Sequence, residues 1–131
     1  FIRLFDGDFS LDSVKQMDVA LEVSGQDGFT LSGHSSMSQI SRTPESLVAA
    51  ALGSHHQYPD GLALYLGTMF APVQDRDGAG QGFSHRLGDV VTISTPTLGA
   101  LVNTVRLSTE CAPWTYGPRA LMGDLAGAGL L

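Results

Sequence analysis

The segment 18–36 constrains the fold of this 131-residue chain more than any other segment. Its first part, VALEVSG, alternates apolar and polar residues, so every second side chain faces the same side of a strand. Asp27-Gly28 follows, and this dipeptide is favoured in type I′ hairpin turns. We therefore predict paired antiparallel strands at 18–25 and 29–36.

The segment RTPESLVAAALG carries the signals of a helix. Thr43 is the predicted N-cap, Pro44 suits the first helical position, and Gly53 suits the position after the C-cap. The spacing of the apolar residues predicts that one face packs on the core; its members are Leu47, Val48, Ala51 and Leu52.

Other segments give weaker patterns, and sixteen glycines and six prolines indicate a turn-rich, mostly β chain. The predicted elements are a single turn in 9–18 capped by Ser10 or Asp12, a buried strand at 61–68, a glycine-rich loop at 73–85, strands at 89–95 and 99–107 joined at Pro96-Thr97-Leu98, and a helix starting near Pro118.

Composition excludes several classes of protein. The hydrophobic fraction of 43% is typical of one globular domain. The net charge is −6 and the seven basic residues are scattered, which argues against a nucleic-acid partner. No apolar run approaches the roughly 20 residues of a membrane span. Cys111 has no internal disulfide partner, which favours a reducing compartment, and we expect a cytoplasmic protein.

The start of the chain is unusual. FIRLF reads as the continuation of a strand, and only 15% of the residues are charged. Both features favour a piece of a longer protein, so we expect 1–131 to be a single partial domain.

The histidines give no clear metal site. His55 and His56 are adjacent, so their side chains diverge on a helix or a strand, and they are expected either to cap the preceding helix or to serve a functional site. His34 and His85 are isolated and are expected at the surface.

The glycine-rich loop resembles two known binding loops only in part. Asp75-x-Asp77-Gly78 begins like a calcium loop, but Arg86 stands where a glutamate is required. Gly78, Gly80 and Gly82 precede a β segment instead of opening a helix, which argues against a dinucleotide site. We predict a flexible loop.

Groups for acid, base or metal chemistry are sparse. The three glutamates lie far apart in sequence; they are Glu22, Glu45 and Glu110. Lys15 lies in a polar segment without a sign of a desolvating pocket, and Cys111 has no activating neighbour. The sequence predicts no catalytic residue and no metal ligand in this chain.

A set of motifs resembles the C-terminal part of the catalytic domain in the fumarylacetoacetate hydrolase family. They are LGTMFAP at 66–72, the glycine-rich loop, Gly88-Asp89-Val90-Val91, and Leu98-Gly99-Ala100-Leu101-Val102-Asn103-Thr104-Val105. The hairpin and the predicted helix also stand in the family's order. The form HHQYPDG…LGTMFAP is most similar to the bacterial branch of 2-keto-3-deoxy sugar-acid dehydratases.

The resemblance implies a β-dominated α+β fold: the C-terminal half of a β-roll or barrel, with the helix at 43–52 against it. It also implies an enzyme that uses Mg²⁺ or a similar cation to act on a 2-oxo acid. In the family a Glu-x-Glu pair, an Asp and a Lys form that site, and none matches a residue here. A truncated roll exposes strand edges, so we expect a homodimer.

Gly67 and Thr68 match the family's substrate-binding Gly-Thr pair. The resemblance implies that Thr68 binds the carboxylate or oxo-acid end of the substrate, and the alternative is a threonine that only ends a strand. His55, His56 and Tyr58 precede this segment and are further candidates for lining the pocket. Two other functions stay open: a non-catalytic β-rich dimerisation or binding module, and a small hydrolase built from His and Asp residues.

Overall fold

A computed structural model describes residues 5–67 and 70–131, and a four-stranded antiparallel sheet is its centre. The spatial order is β2-β1-β3-β4, and the strands are β1 (Asp18–Ser24), β2 (Thr30–Ser36), β3 (Val90–Thr95) and β4 (Gly99–Thr104). The α-helices are α1 (Leu11–Lys15), α2 (Pro44–Ala51) and α3 (Pro118–Gly127). The predicted β-dominated α+β class is confirmed.

The predicted hairpin is confirmed, but its predicted turn type is wrong. A type I′ turn requires positive φ at both central residues. Among the described residues positive φ occurs only at glycines, and Gly28 has a φ of +81°. The Gly25 N–H donates to the Phe29 carbonyl at 2.8 Å and the Gly28 N–H donates to the Gly25 carbonyl at 3.1 Å. This pattern is a three-residue loop in which Gly28 takes the left-handed position of a bulge.

The core lies under the hairpin. Val23 and Leu31 face each other across β1 and β2, and Phe9 and Met37 complete the buried apolar set. The Met37 N–H donates to the Met17 carbonyl at 2.9 Å, which holds the short 3₁₀ helix Met37–Gln39 against the start of β1. The apolar face continues onto β3 and β4, where no described element covers it.

Helix α2 begins as predicted, but its predicted packing is wrong. The Thr43 hydroxyl accepts a hydrogen bond from the Ser46 N–H at 3.2 Å, with Pro44 at the first helical position. Leu47 and Ala51 are only half-buried, and Val48 and Leu52 are exposed, because no described element lies over them. The link from α2 to the rest of the chain includes an ion pair from Lys15 to Glu45.

The predicted buried strand at 61–68 is wrong over residues 61–67, and Thr68 lies outside the described residues. The segment 61–67 forms no strand and is exposed throughout, with Tyr65 89% exposed. Gly61 and Gly67 have positive φ, which departs from the extended conformation at both ends. An apolar run of this length indicates burial only when partner strands flank it.

The two last strands and the last helix are confirmed. Strands β3 and β4 pair over their full lengths, from Val90 opposite Thr104 to Thr95 opposite Gly99. Helix α3 starts at Pro118, as predicted, and none of its residues is buried.

Candidate functional site

A groove of about 510 Å³ lies beside the end of β2. We call it the β2 groove. One wall is mostly polar and comes from β2 and the residues after it: His34, Ser35, Ser36, Gln39, Ile40 and Ser41. The opposite wall is apolar and comes from Leu66, Phe70 and Ala71.

Gly33 explains why Phe70 reaches this position. A Cβ atom at Gly33 would lie 2.3 Å from the Phe70 ring, so the ring packs directly on the glycine backbone. The Gln74 side chain adds a second attachment, because its Nε2 donates to the Thr30 carbonyl at 3.1 Å. The segment 70–74 is therefore held along β2 at two points.

The polar wall offers neutral hydrogen-bonding groups. Ser36 and Ser38 share a hydrogen bond between their hydroxyls at 2.8 Å, and Gln39 adds an amide. His34 Nε2 lies 3.6 Å from Asp18 Oδ1, and both side chains are exposed. The residues that line the groove include no Asp or Glu, so its neutral donors can meet a carboxylate without direct repulsion from its own walls.

Four of the five predicted site residues lie in the described part of the chain. Gly67 is exposed, with a φ of +81° and open space where a Cβ would be. Thr68 lies outside the described residues. His55, His56 and Tyr58 are exposed and are not among the residues that line the β2 groove.

A buried ion-pair network centred on Arg76 was not predicted from the sequence. Its side chain is 2% exposed. Its two terminal nitrogens donate to the Asp89 carboxylate at 2.6 and 2.9 Å, and one of them also donates to Asp27 Oδ1 at 3.0 Å. The guanidinium lies 4.6 Å from the centre of the Phe29 ring, in cation–π contact. The network joins the glycine-rich loop to the hairpin.

The network fixes the charge of its members. Hydrogen bonds from Arg76 hold the pKa of Asp89 far below its ordinary value, against the opposing effect of burial, and the Arg86 N–H donates a further bond at 2.9 Å. The bonds to Asp89 and Asp27 raise the pKa of Arg76, so this guanidinium stays charged. Arg86 extends the network to Asp27 at 2.7 Å and to Asp77.

The glycine-rich loop has a defined conformation of its own. The Asp75 carboxylate accepts hydrogen bonds from the N–H groups of Gly80 at 2.7 Å and Gly82 at 2.6 Å, and these bonds lower the pKa of Asp75. Asp77 pairs with Arg86. Both carboxylates that resembled a calcium loop are therefore engaged within the protein.

The described residues do not fit a Mg²⁺ site. No three His, Cys, Asp or Glu side chains lie close enough together in 5–67 and 70–131. Lys15 is paired with Glu45 and, at 3.0 Å, with Asp12. These bonds raise the pKa of Lys15, opposite to the change that a lysine base requires. Cys111 is exposed and donates to the Leu107 carbonyl.

Within the described part of the chain, no helix combines the length and apolarity needed to cross a membrane. Comparisons with family models, with curated proteins and with solved structures gave no significant match to the chain.

Proposed function

We propose that this chain is the carboxylate-binding half of a divalent-metal-dependent enzyme that acts on 2-oxo acids. The reaction is C–C hydrolysis of an acylpyruvate, or hydration or dehydration of a 2-keto-3-deoxy acid. The observation that carries the proposal is the β2 groove, which combines the neutral donors of Ser36, Gln39 and Ser41 with the apolar side chains of Leu66 and Phe70. A short carbon chain with a carboxylate at one end has the matching chemistry.

The groove would bind the substrate by its carboxylate end. The Ser36 and Ser41 hydroxyls and the Gln39 amide are donors for a carboxylate, and the Thr68 hydroxyl is the further donor that the family resemblance implies. Phe70 provides apolar contact for the adjacent carbon atoms. This end of the substrate would thereby be held in one orientation while the oxo group faces outward.

The remainder of the site would come from residues outside this sequence. The metal, when bound, polarises the carboxylate and carbonyl oxygens of the oxo acid. We place the chain in the C-terminal half of a β-roll and in the cytoplasm of the cell.

A second candidate function is a non-catalytic β-rich binding module. The exposed apolar side chains on the sheet favour it: Ile93 is 43% exposed and Leu101 is 51% exposed. This function needs no ligand in the β2 groove.

Titration with pyruvate, followed by ¹H–¹⁵N correlation spectra, tests the enzyme proposal. We expect shifts at the amides of Ser36, Gln39 and Ser41, and weaker binding after Gln39→Leu. Ser108→Ala is the matched control, because Ser108 lies in a separate 3₁₀ helix and does not line the groove. Shifts confined to other surfaces, or none, would contradict the proposal.

A further inference from the structure

His34 is the one ionisable side chain among the described residues that line the β2 groove. The other lining residues are serine, glutamine and apolar residues. The His34 side chain is 65% exposed, so the imidazole can exchange protons with solvent. Imidazole is the side chain that ordinarily changes charge between pH 5 and 8. The charge that the walls of the groove present to a ligand in this range therefore depends on His34.

His34 lies between two grooves. Besides the β2 groove, it lines a second groove of about 520 Å³, to which all four strands contribute. The neighbours of His34 across the sheet are small, because Ala20 is paired with His34 on one side and with Ser94 on the other. Neither of these neighbours is large enough to cover the imidazole, so the ring has space to present one nitrogen to each groove.

Carboxylates are the charged groups that face His34. Asp18 Oδ1 lies 3.6 Å from His34 Nε2, and Asp18 lines the second groove but not the β2 groove. Glu22 lies on the same face of β1, two residues from Ala20, which is opposite His34. The segment 66–71, β3 and β4 contain no charged residue, and no described lysine or arginine lines either groove. A neutral His34 therefore leaves negative charge beside the β2 groove.

Protonation changes what the ring of His34 can do for a carboxylate. Nε2 faces Asp18, so Nδ1 is the nitrogen left for a ligand. In a neutral imidazole with its proton on Nε2, Nδ1 is an acceptor and cannot bond a carboxylate, which is also an acceptor. In an imidazolium both nitrogens donate, so Nε2–H can face Asp18 while Nδ1–H donates to the ligand.

We propose that His34 is the charged residue that binds the ligand carboxylate in the β2 groove, and that the groove binds a 2-oxo acid more tightly when this imidazole is protonated. The inference rests on the proposed function, because it requires a carboxylate in that groove. Affinity then increases as the pH falls from 8 to 5.5, since the ligand stays ionised while the imidazole gains a proton. Solvent screens an exposed pair, so we expect a change of about fivefold.

Pyruvate titrations at pH 5.5 and pH 8, followed by the groove amide signals, test the inference. The wild-type dissociation constant should be about five times lower at pH 5.5. His34→Gln should bind weakly at both pH values, whereas His34→Arg keeps a charged donor and should bind tightly at both. His55→Gln is the matched control, because His55 is exposed and does not line the groove. It should keep the wild-type pH dependence.

The titration of His34 itself gives a second readout. Binding and protonation are linked, so saturating pyruvate should move the midpoint of the His34 ring-proton signals to higher pH and should leave those of His55 unchanged. A purely structural histidine would not respond to pyruvate in this way.

The outcomes separate this inference from the proposed function. Groove shifts with equal affinity at both pH values, or a pH dependence that persists in His34→Gln, would overturn the role of His34 and leave the proposed function standing. Groove amides that do not shift with pyruvate at either pH would overturn both.

Discussion

Arg76 and Asp89 form a two-point ion pair, with nitrogen–oxygen distances of 2.6 and 2.9 Å, in which both side chains are almost completely buried. Arg76 belongs to the glycine-rich loop and Asp89 directly precedes β3. Arg76 also binds Asp27 in the hairpin turn. At Gly25 a Cβ would lie 2.5 Å from an Arg76 nitrogen, so this glycine makes room for the guanidinium. Through Asp89 and Asp27, Arg76 therefore joins the glycine-rich loop, the start of β3 and the hairpin turn.

Asp89→Asn should destabilise the fold strongly. The substitution keeps the size of the side chain but leaves Arg76 without its buried counter-charge, and breaking a buried pair on one side costs about 3 kcal/mol or more. Urea unfolding measures the loss. Asp77→Asn is the control, because Asp77 is 44% exposed and its pair with Arg86 should contribute less than about 1 kcal/mol. Equal losses in the two variants would contradict a dominant role for Asp89.

Stability should fall in acid because of the same carboxylate. The pKa of Asp89 is lower in the folded chain than its ordinary value of 3.8, so its contribution is complete above that value and is lost as the pH falls towards the folded pKa. Asp27 and Asp75 change in the same direction. The urea concentration at the midpoint of unfolding should be constant near neutral pH and should decrease below about pH 5. In Asp89→Asn the loss of stability with falling pH should be smaller than in the wild-type chain. An equally steep loss in the variant would mean that other carboxylates cause it.

Local patterns in the sequence predicted the hairpin, the start of α2 and the last two strands, because alternation and capping act over a few residues. The Arg76 network was missed because it joins residues 13 and 49 positions apart, and no short pattern encodes such pairing. The strand at 61–67 was predicted from apolarity alone, and apolarity does not specify a partner. Thr68 depends on a resemblance to a family, so its role remains a prediction.

The chain alone should not bind Mg²⁺ with micromolar affinity, and it should not turn over acylpyruvates or 2-keto-3-deoxy acids. The reason is the absence of a Glu-x-Glu pair in the sequence and of a carboxylate cluster among the described residues. Isothermal titration calorimetry with MgCl₂ measures the affinity. Micromolar binding that persists in Asp75→Asn and Asp77→Asn variants would show a cation site that the groove proposal does not include.

Thr68→Val should weaken binding of a 2-oxo acid by about 1–3 kcal/mol, the usual cost of an unmet polar group. Valine has the shape of threonine without its hydroxyl, so stability should change little. Pyruvate titration of this chain, and steady-state kinetics in the longer enzyme that we propose, measure the effect. Unchanged affinity and unchanged kinetics would leave Thr68 without a role in binding.

Gly33→Ala should disturb the β2 groove. The added Cβ would lie 2.3 Å from the Phe70 ring, which is closer than any real contact, so the ring must leave its place. We expect lower stability, a shift of the Phe70 aromatic signals in NMR spectra and weaker pyruvate binding. Gly123→Ala is the control: Gly123 lies in α3 with open space around it, and alanine there should stabilise the helix by up to about 1 kcal/mol. If Gly33→Ala leaves the Phe70 signals in place, the ring does not pack on Gly33 in solution.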